Sequence, residues 1–403
     1  HPAAIREKPF DRGMCCVVSV GGYLDHAKGV SLAALKKGLE VAGREGGVTL
    51  TVIPEAVQLP SLKDFGALAE AALAQAAELT DRMVLLDVYG MEAVDPSADT
   101  WQSDFADVIA AFRKSISSDH LQYGASYTPS LKTSVIAPQG VDYKAFDPAA
   151  LTQLLTAEAA ELYDGAKLAA AKALIAEMPE ASGKARVALA QNLRDMLPVQ
   201  ADLEQQVVDV LGVLPPSGLV AGMFVQNDAE RGVWNAPASV SMRSVIGPVL
   251  PITDGMQEDL NAPMDGKAVN AVRAFPGRGT LVWGARTMDG NSPDWRYIQV
   301  RRTIIYIEQT IKTALQPFVF APNDEDTWAS VHSAVSNFLR GVWSDGGLYG
   351  RTMSEAFAVQ CGLGSTMTAQ DLQEGRMIVH VQLQAVRPDE FIVLTIVQQM
   401  ETS

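Results

Sequence analysis

The chain has 403 residues, 48% of them hydrophobic and 20% charged, and this composition excludes disorder over most of its length. It carries 32 basic and 47 acidic residues, and the net charge of -15 argues against broad binding to a nucleic-acid backbone. Three cysteines, two of them adjacent, cannot form a disulfide framework, so we expect folding in a reducing compartment. No apolar run reaches the roughly 18 residues of a membrane-spanning helix, so membrane insertion is not expected.

The N-terminal part alternates between apolar strands and amphipathic helices. Strands are predicted at 15–20, 49–54, 82–88, 122–127 and 132–137. Helices are predicted at 31–42, 61–79 and 101–117, with Ser61 as the N-cap of the second. Near-continuous apolar strands separated by helices are typical of a parallel sheet covered on both faces. We therefore expect an α/β domain with a mostly parallel sheet over 1–146.

The stretch 147–216 is rich in Ala, Leu, Gln and Glu and poor in strand-forming residues. Helices are predicted at 148–176, 182–196 and 200–212, interrupted at Pro179 and Pro198. The Pro-Pro-Ser-Gly run at 215–218 is typical of a boundary. This segment is expected to be a connecting or inserted helical element.

The remainder, 217–403, mixes strands, loops and two strongly amphipathic helices. The two helices are predicted at 294–315 and 324–343, a capping box at 368–371, and strands at 376–385 and 390–398. This pattern favours a C-terminal domain of mixed α+β type. The closing strand would leave a sheet edge that needs a partner.

Three polar residues follow predicted strands, and a fourth lies within the third strand, at the sheet edge where α/β folds bind ligands. They are Asp25, His26, Glu55 and Asp87. Carboxylates and a histidine in that position can share acid/base work, which keeps open an enzyme that handles a nucleotide or phosphoester. We favour the plainer interpretation that they are solvated loop residues and a helix cap.

Other motifs for chemistry are incomplete. Gly21-Gly22 and Gly277-Arg278-Gly279 lack the spacing of a phosphate-binding loop and favour tight turns. The five histidines are scattered, the adjacent cysteines lack zinc-ligand spacing, and no G-x-S-x-G elbow occurs. Cys361 is expected to be a buried structural thiol. We therefore expect no catalytic residue, no cofactor and no metal, and a protein that is not an enzyme.

Six ordered sequence blocks span about 165 residues of the C-terminal half. They are N-D-A-E-R-G-V-W-N-A-P-A at 227–238, N-A-V-R-A-F-P-G-R-G-T-L-V-W-G-A-R-T at 270–287, D-W-R-Y-I-Q-V-R-R at 294–302, F-A-P-N-D-E at 320–325, T-M-T-A-Q-D at 366–371 and R-P-D-E-F at 387–391. In this order the blocks resemble those of contractile tail sheath proteins. The α/β part is similar to the same family, less sharply, and segment 147–214 has no counterpart that we can match.

The resemblance implies a non-enzymatic building block. Sheath subunits polymerise as stacked rings around an inner tube, and contraction drives the tube through a target cell envelope. The implied partners are the chain itself, the inner tube protein, and baseplate and terminal cap proteins, with no nucleic acid. The implied location is a virion tail or phage-like contractile particle assembled in the bacterial cytoplasm. The family also has an N-terminal arm ahead of the first strand, which the numbered sequence does not include.

The resemblance also suggests interface residues. Exchange of the terminal strand between neighbours would use Phe391, Val393, Thr395, Val397 and Gln398, although the same strand can pair internally. Contact with the tube would use Arg301, Arg302, Lys312 and Arg340, although such charges are often only solvated. Three further arginines are expected to brace loops inside the domain, namely Arg231, Arg273 and Arg286.

Overall fold

The computed structural model describes residues 4–10, 13–21 and 29–388, and the chain folds as two compact units. The first unit takes its residues from His1–Pro129, Pro215–Met242 and Leu250–Ser403, and the second comprises Ser130–Leu214 and Arg243–Val249. The N-terminal and C-terminal segments, expected as separate domains over 1–146 and 217–403, thus contribute to one unit. The expected helical segment at 147–216 is part of a larger unit that also includes short strands.

The described residues form strands and helices in mixed order. The strands are β1 (Ala4–Phe10), β2 (Gly13–Ser19), β3 (Leu50–Val52), β4 (Met83–Asp87), β5 (Gly124–Thr128), β6 (Leu131–Thr133), β7 (Val213–Leu214), β8 (Val245–Pro248), β9 (Asn270–Phe275), β10 (Gly279–Trp283), β11 (Phe357–Cys361) and β12 (Val379–Leu383). The helices are α1 (Leu32–Ala42), α2 (Leu62–Leu79), α3 (Trp101–Ser115), α4 (Pro148–Leu162), α5 (Gly165–Glu177), α6 (Gly183–Met196), α7 (Pro198–Leu211), α8 (Ser217–Arg231), α9 (Asp254–Asn261), α10 (Ile298–Leu315), α11 (Glu325–Ser344), α12 (Met353–Ala356) and α13 (Ala369–Gln373).

The largest sheet lies in the first unit and has the strand order β10-β9-β5-β4-β3. Strands β3, β4, β5 and β9 run parallel, and β10 returns antiparallel to β9. Every residue of β4 and β5 is buried, as expected for strands covered on both faces. The predicted parallel sheet is present, but two of its five strands come from the segment that was expected to form a second domain.

Two predicted members of the parallel sheet lie elsewhere. The run at 15–20 falls largely in β2, which pairs antiparallel with β1 in a separate two-stranded sheet. The run at 132–137 overlaps β6, which pairs antiparallel with β7 and β8 in the second unit. Both assignments to the parallel sheet were wrong because an apolar run predicts a strand but does not specify its partner.

Local signals set the bounds of the helices in the first unit. The Ser61 hydroxyl accepts from the Asp64 N–H at 3.1 Å, which confirms the predicted N-cap of α2. Helix α10 begins at 298 rather than 294, because Arg286 and Tyr297 form an antiparallel bridge in which Tyr297 is extended, and the residues from 293 to 296 form turns and a bend. Helix α8 begins inside the predicted boundary at 215–218, where no helix was predicted.

The second unit packs α4 to α7 around a core of its own, with a three-stranded sheet of β7, β6 and β8. The helix predicted at 148–176 is two helices, since the chain breaks before Gly165, whose φ of 51° is left-handed. Pro198 is the first residue of α7, where its missing N–H costs nothing. None of the helices in the described ranges of either unit is long and apolar enough to cross a membrane.

Two helical glycines of the first unit make a matched test of packing. A Cβ at Gly66 in α2 would lie 2.2 Å from the Ser115 carbonyl oxygen, whereas one at Gly222 in α8 would meet nothing within 4 Å. We expect Gly66→Ala to lower the free energy of unfolding by about 1–3 kcal/mol through overpacking. Gly222→Ala should raise it by roughly 0.5–1 kcal/mol, because alanine is the better helix former. Urea denaturation measures both, and effects of the same sign would contradict the packing at Gly66.

Candidate functional site

The acid/base site expected at the edge of the parallel sheet is not assembled in the described residues. Asp87, at the end of β4, is 4% exposed, and its carboxylate accepts the Ser217 N–H at 2.7 Å and the Ser217 hydroxyl at 2.6 Å. Burial raises the pKa of Asp87 to about 7, against the opposing effect of those two hydrogen bonds. Glu55 is exposed in a 3-10 turn, and Asp25 and His26 lie outside the described residues. Asp87 thus anchors the start of α8 to the sheet.

The described part of the chain does not support a metal site or a nucleophilic cysteine. Within it, no three His, Cys, Asp or Glu side chains are grouped so that they could hold a metal ion. Cys361 is half-buried, and burial raises the pKa of its thiol, which disfavours the reactive thiolate.

Arg302 was predicted to face a partner, and the structure buries it inside the first unit. Its guanidinium donates two hydrogen bonds to the Asp228 carboxylate, at 2.7 and 2.5 Å, and lies 5.1 Å from the Phe224 ring centroid. Its exposed fraction is 6%. The pair ties α10 to α8 with the bidentate geometry that makes arginine–carboxylate contacts strong.

Arg301 is buried as well, at 5% exposure. Its guanidinium lies between the rings of Tyr123 and Trp295, 4.6 and 4.4 Å from their centroids, and 3.6 Å from a Glu308 oxygen. The prediction that Arg301 and Arg302 meet an outside partner therefore needs correction, since both are occupied by contacts within the chain. The sequence analysis could not identify these contacts, because Tyr123, Phe224 and Asp228 are far from the two arginines along the chain.

The other two predicted tube-facing residues, Lys312 on α10 and Arg340 on α11, are exposed. Neither forms an ion pair with any residue of the described ranges. Their contact with a tube stays a prediction.

Asn270 joins the two segments that build the large sheet. Its side-chain amide donates to the carbonyls of Ser126, at 3.2 Å, and Arg286, at 2.8 Å, and its oxygen accepts the Arg286 N–H. A Cβ at position 284 would lie 2.6 Å from the Asn270 oxygen, so glycine is needed there. The Arg286 guanidinium donates to the carbonyls of Asn261 and Gly290, which confirms its predicted role as a loop brace. Sequence reasoning assigned no role to Asn270, although it opens a recognised block.

The G-V-W part of the first block is also internal. Gly232 has a φ of 86°, and a Cβ there would lie 2.6 Å from the Trp234 ring. The Trp234 ring in turn lies 6.4 Å from that of Tyr306 on α10. The residues that carry the resemblance therefore include much of the packing that holds α8, α10 and the sheet together.

The sheet of β11 and β12 is one of two two-stranded sheets in the described part of the first unit, the other being that of β1 and β2. Val359, Val381 and Leu383 pack toward a core formed with α11, while His380 and Gln382 are exposed. The strand predicted at 376–385 is thus present, with shorter bounds, as β12. Within the described ranges, neither strand pairs with a third strand on its outer side. The five candidates for strand exchange, 391 to 398, lie outside the described residues.

Comparisons with known proteins agree on one family. The model of the phage tail sheath C-terminal domain family matches residues 291–399. The tail sheath protein of Burkholderia phage BcepMu is 28% identical over 141 residues, which cover 34% of this chain and 29% of that protein. The match therefore spans less than a third of that curated relative.

Solved sheath structures resemble the chain over nearly all of its length. The helical sheath of the anti-feeding prophage in its contracted state is 27% identical with a TM-score of 0.58, over 96% of this chain and 78% of that one. The contracted sheath of the extracellular contractile injection system PVC is 26% identical with a TM-score of 0.58, over 92% and 75%. The predicted resemblance to contractile tail sheath proteins is confirmed, and the fold of mixed helix and sheet is theirs.

Removal of one partner of the Asp228–Arg302 pair should be strongly destabilising, because it leaves the other charge buried and unpaired. Asp228→Asn removes the counter-charge of a buried guanidinium, and we expect a loss of about 2–3 kcal/mol in the free energy of unfolding. The matched control is Asp254→Asn, because Asp254 pairs with Arg273 at 2.8 Å but is 93% exposed. An exposed pair contributes at most about 1 kcal/mol. Urea denaturation compares the two, and equal losses would contradict the internal role of Arg302.

Asp87 should make stability depend on pH. The pKa of Asp87 in the folded chain, about 7, lies above its ordinary value of 3.8. Between pH 3.8 and 7 the folded chain therefore holds a proton that the unfolded chain has released. This contribution is fully present below about pH 4 and is lost as the pH rises through 7. Between pH 4.5 and 8, the wild type should lose on the order of 2 kcal/mol more than Asp87→Asn. Urea denaturation at both pH values tests this, with Glu92→Gln as a control that keeps the wild-type dependence, because Glu92 is exposed and does not contribute to the raised pKa of Asp87.

Proposed function

We propose that this chain is a subunit of the contractile sheath of a phage tail or phage-like injection particle, and that it polymerises as stacked rings around an inner tube. The observation that carries the proposal is the likeness to two contracted sheaths over more than nine-tenths of the chain. The matched C-terminal domain family supports it independently.

A contracting sheath needs subunits that reorient without losing their connections. The buried Asp228–Arg302 pair and the Asn270 hydrogen bonds supply stiffness inside the first unit. Main-chain pairing supplies a connection that tolerates rotation, because an added strand is held by backbone hydrogen bonds. In this proposal the open sheet of β11 and β12 accepts the terminal strand of a neighbour. Phe391, Val393, Thr395, Val397 and Gln398 would be the residues exchanged.

Contact with the inner tube is assigned to the exposed faces of α10 and α11. Lys312 and Arg340 are the basic residues that these faces present from the predicted set. Each exposed ion pair with an acidic tube would contribute at most about 1 kcal/mol. Repeated over many subunits, such small differences can favour the extended or the contracted state. Baseplate and cap proteins would bind the two ends of the same polymer.

The enzyme alternative is not favoured. Of its three carboxylates, Asp87 is committed to Ser217 and Glu55 is an exposed turn residue. Negative-stain microscopy of the expressed chain separates the two functions. Long hollow tubes or cogwheel-like rings are expected for a sheath. A discrete small oligomer whose melting temperature rises with nucleotide would instead support the enzyme.

Deletion of the C-terminal strand tests strand exchange. Removal of residues 395–403 takes away Thr395, Val397 and Gln398, and we expect a folded monomer that forms no tubes. Removal of 400–403 alone spares every candidate residue and should leave assembly intact. Sedimentation gives the polymer fraction, and circular dichroism confirms folding. Normal tubes from the longer deletion would show that the C-terminal strand does not link the subunits.

A further inference from the structure

The hairpin of β9 and β10 presents an arginine at its tip in a fixed position. Pro276 and Gly277 form the turn, with a φ of 72° at Gly277 and the Arg278 N–H donating to the Phe275 carbonyl at 3.1 Å. Gly279 is left-handed too, with a φ of 76°. Arg278 therefore lies between two glycines whose backbone conformations other residues rarely adopt. This turn holds the exposed Arg278 beyond the end of the hairpin pairing.

The Arg278 side chain is itself held by its neighbours. The rings of Phe275 and Trp283 lie 4.5 Å apart, and the guanidinium carbon lies 5.9 and 5.7 Å from their centroids. One terminal nitrogen donates to the Ser239 hydroxyl at 2.9 Å. Stacking on two rings and one hydrogen bond restrict the rotamers of a long side chain. Little conformational entropy is then left to lose when the guanidinium binds something.

A second arginine beside the same rings has an acidic partner, and Arg278 has none. Arg273 lies 5.4 Å from the Phe275 ring centroid and pairs with Asp254 at 2.8 Å. Arg278 has no carboxylate within 4.0 Å among the residues that the structure describes. An exposed guanidinium with most of its N–H groups unused, fixed on an aromatic surface, is the type of residue that dominates the binding energy of protein interfaces.

We propose that Arg278 binds a carboxylate of a neighbouring copy of this chain and so forms an interface between sheath subunits. The planar guanidinium fits a carboxylate with two parallel hydrogen bonds. A second copy is the partner that charge favours, because each copy carries 47 acidic against 32 basic residues. Exposed acids such as Glu92, Asp95 and Asp99 have no ion-pair partner among the described residues. A phosphate partner is disfavoured by the net charge of -15. The inference rests on the proposed function, since it needs a polymer.

Charge reversal is the first test. We expect Arg278→Glu to lower the sedimented polymer fraction at least tenfold while the monomer keeps its wild-type circular dichroism and melting temperature. The control is Arg44→Glu, because Arg44 is likewise exposed with no acidic partner in the described ranges and its reversal changes the net charge equally. Arg44→Glu should assemble like the wild type. Tubes of Arg278→Glu at the wild-type level would overturn the inference and leave the sheath function standing. Failure of the wild type to assemble would overturn both.

A crosslink identifies the partner group and does not depend on a loss of assembly. Arg278→Lys keeps the charge, and a water-soluble carbodiimide joins its amine to an adjacent carboxylate as an amide with loss of water. Tubes are assembled from an equal mixture of ¹⁴N- and ¹⁵N-labelled subunits and then digested. Crosslinked peptides that combine both isotopes are expected at position 278, because the carboxylate belongs to another copy. Crosslinks confined to one isotope, or the absence of crosslinks at position 278, would overturn the inference. This test holds even if Arg278→Glu fails to fold.

Discussion

The parallel pairing of β5 with β9 is the constraint on which the first unit depends. It aligns Tyr127 with Asn270, so segments some 144 positions apart in sequence share one sheet. Asn270 stabilises this pairing, because its buried side-chain amide donates hydrogen bonds to the carbonyls of Ser126 and Arg286. Without that pairing, the carbonyls of Ser126 and Arg286 would lose their buried partner, which is costly in a low-dielectric interior. The long connection between the two strands contains all of the second unit.

Buried charge in this unit is consistent with a mechanical function. A buried arginine–carboxylate pair is a poor source of net stability, because both groups must lose their water. It is, however, geometrically demanding, and a demanding contact favours one arrangement of α8 and α10 over others. A subunit that transmits force needs that property more than it needs extra stability. Residues of the recognised sequence blocks, such as Asp228, Asn270 and Arg302, likewise make their contacts within the first unit.

Prediction from sequence succeeded where the signal was local and periodic. The long amphipathic helices α2, α3 and α11 were found close to their true bounds, because apolar spacing and N-caps are read within one segment. It failed for α8, whose apolar residues follow two prolines and show weak periodicity, and for the break before Gly165. For the candidate site, it placed Lys312 and Arg340 correctly on exposed helix surface and misplaced Arg301 and Arg302. A charged residue considered by sequence alone is expected at the surface. Arg301 and Arg302 can be buried because the folded chain surrounds them with aromatic rings and the Asp228 carboxylate.

The sequence by itself determined the acidic charge, most of the long helices and the resemblance to contractile tail sheath proteins, because composition, periodicity and ordered blocks are properties of the chain in one dimension. The tertiary structure decided which strands pair and which charges are buried. It assembled one sheet from distant segments of the first unit and buried two arginines that were predicted to face a partner. It also placed Arg278 at a hairpin tip, with no carboxylate partner among the residues that the structure describes. Strand pairing and the burial of charges depend on contacts between residues far apart in sequence. These contacts form only in the folded chain, so a local sequence pattern cannot predict them.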